Sequence, residues 1–172
     1  MSTDASLSDL HVRLAVGPDV EVLVQLMREF YAESNYALDQ AWAASSFRAL
    51  ISNSALGCVV LALHGPTAVG HAVLTTRYCM EFGGLCGYID DLFVQPASRR
   101  RGVGYALVNA LFAECNVRAC KSVQVEVGES NASARALYAK FGLRAATDGR
   151  VLLSSALPAG TTIRFSKLCG AS

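Results

Sequence analysis

The stretch Val94-Gln95-Pro96-Ala97-Ser98-Arg99-Arg100-Arg101-Gly102-Val103-Gly104 decides how this chain is read. It leaves an apolar run, Tyr88 to Val94, whose aromatic and branched side chains predict a strand interrupted only by Asp90 and Asp91. Pro96 ends that strand, and Gly102 opens a helix whose Val103, Leu107, Ala110 and Leu111 form one apolar stripe. Strand, glycine turn and helix in that order make a cradle for an anion. Gly102 and Gly104 carry no β-carbon, so main-chain N–H groups have room to close on a phosphate, and the helix start adds the positive end of its aligned peptide dipoles. Arg99, Arg100 and Arg101 add planar cationic donors that match phosphate oxygens.

Upstream of this turn, His11 to Val16 alternates as a first strand that Gly17-Pro18 stops. Leu23, Leu26, Met27 and Phe30 then recur at helical spacing, with Glu21, Gln25 and Arg28 on the outer face. Asp39 is placed to cap a second helix ending near Asn53. Gly57 to Leu63 and Ala68 to Tyr78 read as a hairpin around His64-Gly65-Pro66-Thr67. Downstream, Val123 to Val127 predicts a strand and Asn131 to Phe141 a helix, closed by Gly142 as a left-handed cap. Two further strands are expected over 151–157 and 161–168. No repeat, low-complexity segment or linker divides the chain, so the expectation is one α+β domain over 9–172 behind a disordered tail, 1–8.

Composition narrows the function. Of 172 residues, 52% are hydrophobic and 17% charged, which points to a well-filled core or an association surface such as a homodimer would bury. The formal charge of +1 argues against nucleic acid or an anionic membrane as partner. No apolar run is long enough for a membrane span, and the polar, acidic start is unlike a signal peptide, so a cytoplasmic protein is expected. Cys58, Cys79, Cys86, Cys115, Cys120 and Cys169 show no paired C-x-x-C spacing and read as reduced thiols. His11, His64 and His71 lack a second ligand at zinc-site spacing, so no metal is expected.

Gly102-Val103-Gly104 also opens a dinucleotide fingerprint, with Glu126 near the distance of a ribose-binding acid. Leu107 falls where that fingerprint needs Gly or Ala. Two helices and a hairpin also precede the turn where a doubly wound sheet would alternate strand with helix.

Arg99, Gly102 and Gly104 fill the pattern of Arg or Gln, two residues, Gly, one residue, Gly or Ala, and the stretch resembles the coenzyme-A-binding motif of the GNAT superfamily of N-acetyltransferases. Glu129 to Leu143 is similar to that family's following helix, with Asn131, Tyr138 and a closing Gly142. The likeness runs from about Tyr88 to Leu143. The first half agrees only in its order of strand, two helices and hairpin, and acceptor specificity in the family resides largely there.

The resemblance implies a mixed, mostly antiparallel central sheet of about seven strands flanked by about four helices, splayed between strands near 88–95 and 121–128. It implies acetyl transfer from acetyl-coenzyme A to a primary amine of a small acceptor, within a ternary complex. The cofactor is expected to meet Leu92, Phe93, Val94, Arg99, Arg100, Arg101, Gly102, Val103, Gly104, Tyr105, Asn131, Ser133 and Tyr138. A bulge near Leu92 or Phe93 would free main-chain groups for the pantetheine arm, with the Val94 N–H as donor to the thioester carbonyl. An alkylamine has a reference pKa of about 10.4, so a base must help present it neutral. Asp90 and Asp91, adjacent on a strand, point to opposite faces in regular pleating. By motif alignment Asp90 is the expected base, through water, and Asp91 the substrate anchor, joined by Glu81 and Glu126. Glu33 and Asp39 are further candidates for an acidic acceptor cleft. Tyr138 holds the position of the acid that protonates the departing thiolate, although it also lies on its helix's apolar stripe. A helix cap is the simpler explanation of Asn131. A non-catalytic coenzyme-A-binding module would keep the glycine turn and need neither Asp90 nor Tyr138.

Overall fold

Spacing of apolar residues sets the elements, and the computed structural model describes them over residues 9–145. In chain order they are β1 (Leu10–Leu14), α1 (Val20–Glu33), α2 (Gln40–Ser52), β2 (Gly57–His64), β3 (Thr67–Cys79), β4 (Gly84–Val94), α3 (Val103–Val117), β5 (Ser122–Val125) and α4 (Ala132–Ala139). Asp39 caps α2 as expected, its carboxylate accepting from the Ala41 and Trp42 amides at 2.9 and 3.0 Å. Strand β4 begins at Gly84, four residues before the aromatic run that announces it.

The strands form one sheet in the order β1-β2-β3-β4-β5, antiparallel except for the parallel β4/β5 pair. Five strands are present among the described residues rather than about seven; the two expected over 151–157 and 161–168 lie outside the described residues. The mostly antiparallel order is not that of a doubly wound dinucleotide fold.

Both faces of the sheet are covered, which explains why β2 is apolar throughout rather than alternating. Val59, Leu61, Val73 and Phe93 pack under α1 and α2 with Leu23, Leu26 and Met27. Val60, Ala62, Leu74 and Ile89 pack under α3 and α4 with Leu107, Leu111 and Tyr138. Burying a leucine such as Leu107 stabilises the fold by about 2 kcal/mol. No helix among the described residues is long and apolar enough to cross a membrane, and no group of His, Cys, Asp or Glu among them is arranged to hold a metal ion.

Two irregularities in β4 create the site. The β4/β5 pairing stops at Ile89 with Val125, so β4 continues from Asp90 to Val94 without a partner on that side. On the other side the register with β3 passes from Val73–Asp91 to Leu74–Ile89, which leaves Asp90 as the extra residue of a bulge. The bulge therefore sits at Asp90 and not at Leu92 or Phe93. Its effect is to change faces: Phe93 packs under α1 and α2, whereas Ile89 packs under α3.

Candidate active site

Beyond the bulge, β4 presents one edge to β3 and the other to open space. Gln95 N–H donates to Val69 O at 2.9 Å, so the directly opposed pairs Phe93–His71 and Asp91–Val73 are the hydrogen-bonded ones. The N–H groups of Leu92 and Val94 consequently point away from β3, into the gap that β5 has left. Val94 O on that edge accepts from Arg99 Nε at 2.8 Å.

The turn that follows is folded to expose amides. Arg100 and Gly102 both have left-handed backbones, with φ of 62° and 81°. Left-handed residues alternating with ordinary ones curl successive N–H groups towards one point, a concavity suited to an anion. Helix α3 starts there, and its first intrahelical bond is Ala106 N–H to Gly102 O at 2.9 Å, so the amides of Val103, Gly104 and Tyr105 have no intrahelical partner. Gly104 serves packing as well: a β-carbon there would lie 3.2 Å from Leu137 Cδ2 on α4.

The free β4 edge, this turn and α4 enclose a cleft of about 570 Å³. Leu92, Phe93, Val94, Arg99, Arg100, Gly102, Gly104, Tyr105, Asn131 and Ser133, all expected from the sequence, line it together. Arg101 and Tyr138 do not, nor do Asp90, Asp91 and Glu126; Tyr138 and the Val103 side chain are buried in the core, which leaves Val103 only its amide to contribute. Asn131 is a cap: its side-chain oxygen accepts from Ala134 N–H at 3.0 Å. Sequence reading missed Phe30, Ala136, Leu137 and Lys140 in the wall. Ser133, Ala136, Leu137 and Lys140 lie at helical spacing, so the face of α4 beside the apolar stripe could have disclosed them.

The acids divide by environment. Asp91 lies partly buried, and burial together with the neighbouring Asp90 charge pushes its carboxyl up to about 6. Asp90, on the bulge, keeps solvent access at its tip, yet the protein packed around it desolvates the carboxylate enough to raise it as well. Burial raises the Tyr31 phenol at the end of α1, and the charges of Asp91 and Asp90 add to the rise. Tyr138 is buried under α4, and burial and Asp91 push its phenol up to about 12. It therefore keeps its proton at neutral pH. Tyr88 donates to Glu126 Oε2 at 3.0 Å across the seam, and its phenol too is pushed to about 12 by burial and Glu126.

Other expected acids lie elsewhere. Glu81 is in the turn joining β3 to β4, at the opposite end of β4 from the cleft. Asp39 is the α2 cap described above. Glu33 lines the cleft but pairs with Arg99 at 2.5 Å.

Comparison with known proteins bears on this arrangement. The family model described as Acetyltransferase (GNAT) family matches residues 21–143. No curated protein matches the sequence. Among solved structures, an integron cassette protein from the mobile metagenome of Cole Harbour Salt Marsh is 38% identical, with a TM-score of 0.76 over 85% of this chain and 90% of that one. A predicted acetyltransferase with acetyl-CoA from Clostridium acetobutylicum is 18% identical, with a TM-score of 0.71 over 84% and 96%. An aminoglycoside acetyltransferase from an uncultured soil metagenomic sample is 20% identical, with a TM-score of 0.72 over 88% and 98%. The last two likenesses are of fold.

Proposed function

This chain belongs to the acetyltransferase (GNAT) family, and from that premise we propose that it moves an acetyl group from acetyl-coenzyme A to a primary amine of a small, cationic acceptor by direct transfer in a ternary complex. One observation carries the reading: the unpaired β4 edge at Leu92 and Val94 runs straight into the turn of convergent amides at Arg100 to Tyr105. A strand-like amide chain ending in a diphosphate needs those two features side by side. The residues present fit such a donor, since the edge supplies main-chain partners for pantetheine and the turn supplies N–H groups and the helix dipole for phosphates. Lys140 adds a cation on the opposite wall.

The bound thioester supplies an activated acetyl group, and the chain's own groups do the rest. The Val94 N–H, held at the free edge, is aimed to stabilise negative charge on a carbonyl oxygen. We assign the base to Asp91 rather than Asp90, because it is the more buried of the two. Its carboxyl, raised to about 6, is ionised at neutral pH yet basic enough to take a proton from an ammonium or an intervening water. Asp90, displaced outward by the bulge, and Glu126, held by Tyr88, are available to anchor a positively charged acceptor. We assign Tyr138, which retains its proton at neutral pH, as the acid for the leaving thiolate on its place in the family's motif.

The test is thiol release from acetyl-coenzyme A across a panel of diamines, aminoglycosides, amino acids and peptide N-termini. Release with a cationic amine supports the reading. Calorimetric binding of coenzyme A without release on any amine would leave a binding module, and no binding at all would sink both.

A further inference from the structure

Two contacts tie α1 to the end of β4. Glu29 and Glu33 stand one turn apart on α1, and Gln95 and Arg99 stand four residues apart after the free edge of β4. Gln95 Nε2 donates to Glu29 Oε2 at 2.9 Å, and Arg99 Nη2 donates to Glu33 Oε1 at 2.5 Å. Arg99 is held on two further sides: its Nε donates to Val94 O at 2.8 Å, and its guanidinium lies 5.8 Å over the Phe93 ring. Two of its three guanidinium nitrogens, Nε and Nη2, are thus engaged within the chain. The family pattern alone makes Arg99 a phosphate ligand; its contacts make it a brace.

We infer that Glu33–Arg99 and Glu29–Gln95 are paired struts that position the end of α1 against the free β4 edge, and that Arg99 and Glu33 are positioning residues for the acceptor rather than coenzyme ligands. This rests on the acetyltransferase reading. The last turn of α1 carries Phe30, which lines the cleft, and Tyr31, whose phenol is raised by burial and by the charges of Asp91 and Asp90. The same brace that fixes this turn also holds the Val94 carbonyl, on the residue whose N–H faces the gap. One guanidinium therefore sets the distance between the acceptor wall and the donor edge. Stability is not its main service, because both side chains are about two-fifths exposed, at 43% and 40%, and ion pairs that open contribute little.

Kinetics and binding separate the alternatives. Glu33→Gln and Arg99→Gln should each lower kcat/KM for the acceptor about fivefold to tenfold while leaving coenzyme A affinity within about twofold by calorimetry. The double variant should be no worse than either single one, because both remove the same strut. Arg99→Lys should fail to rescue, since an ammonium cannot bridge Val94 O and Glu33 in one plane, whereas a phosphate contact would tolerate it. Hydrogen exchange at Tyr31 to Ser34 should quicken equally in both single variants, and this reads the strut without any turnover. An Arg99→Gln variant that weakens coenzyme A about tenfold, beside a Glu33→Gln variant that leaves it unchanged or tighter, would overturn the inference. Loss of all wild-type turnover with exchange behaving as expected would instead sink the acetyltransferase reading alone.

Discussion

Replacing Asp91 with Asn should abolish most activity and at the same time stabilise the protein, and the two effects share one cause. Burial and the adjacent Asp90 raise the Asp91 carboxyl from 3.8 to about 6. At pH 7 about nine-tenths of it is then ionised, and at pH 5 about one-tenth, so a base in this position gives an acid limb of roughly tenfold per pH unit below 6. Because the acceptor amine titrates too, the useful quantity is the ratio of wild-type to Asp91→Asn kcat/KM across pH, in which the amine's own ionisation cancels. That ratio should be about 10²–10³ at pH 7.5 and about tenfold smaller at pH 5. The stability sign follows from proton binding. The folded state holds the Asp91 proton more tightly than the unfolded one, so between pH 3.8 and 6 stability falls as pH rises, and the penalty is complete above 6. A displacement of that size corresponds to at most about 3 kcal/mol, reduced by the residue's partial exposure to solvent. Chemical denaturation should find Asp91→Asn more stable than wild type at pH 7.5 by up to that amount, and equal to it near pH 4. A pH-independent kinetic ratio, or no stability gain at pH 7.5, refutes the assignment.

Tyr138→Phe should lower turnover at least tenfold while coenzyme A affinity stays nearly unchanged, and near-normal turnover would leave Tyr138 as a core residue only. Gly102→Ala forces a β-carbon onto a left-handed backbone, φ 81°, and should cost about 1–2 kcal/mol in denaturant melts and weaken coenzyme A at least tenfold by calorimetry. His71 is fully buried between Phe47 and Phe93 with both ring nitrogens lacking a hydrogen-bond partner, and burial lowers its imidazole to about 4. Since the unfolded imidazole takes its proton near 6.5, stability should be lost as pH falls from 6.5 to 4, by about 3 kcal/mol. His71→Leu should flatten that acid limb and raise the melting temperature at pH 7 by removing unpaired buried polar atoms, which cost about 1–3 kcal/mol; an unchanged limb would clear His71 of the acid sensitivity.

The local parts of this protein were legible from residue order. The cap at Asp39, the stripe Leu23-Leu26-Met27-Phe30, the left-handed cap at Gly142 and the cap at Asn131 are decided by neighbours within a turn, and the structure holds them where spacing places them. The wall of the cleft built from residues 99–105 was legible for the same reason, since it is one continuous turn. What only the tertiary structure decided depends on pairing between distant segments. The register of β4 on β3 puts the bulge at Asp90, so the two acids do not simply alternate and Asp91 becomes the more buried. The end of the β4/β5 ladder at Ile89 chooses which amides are bare. Glu33 meets Arg99 across sixty-six positions of chain, and Glu81 stays in the turn at the far end of β4. Side-chain chemistry is written residue by residue, but which groups face one another is settled by strand register and helix packing, and those are properties of the assembled sheet.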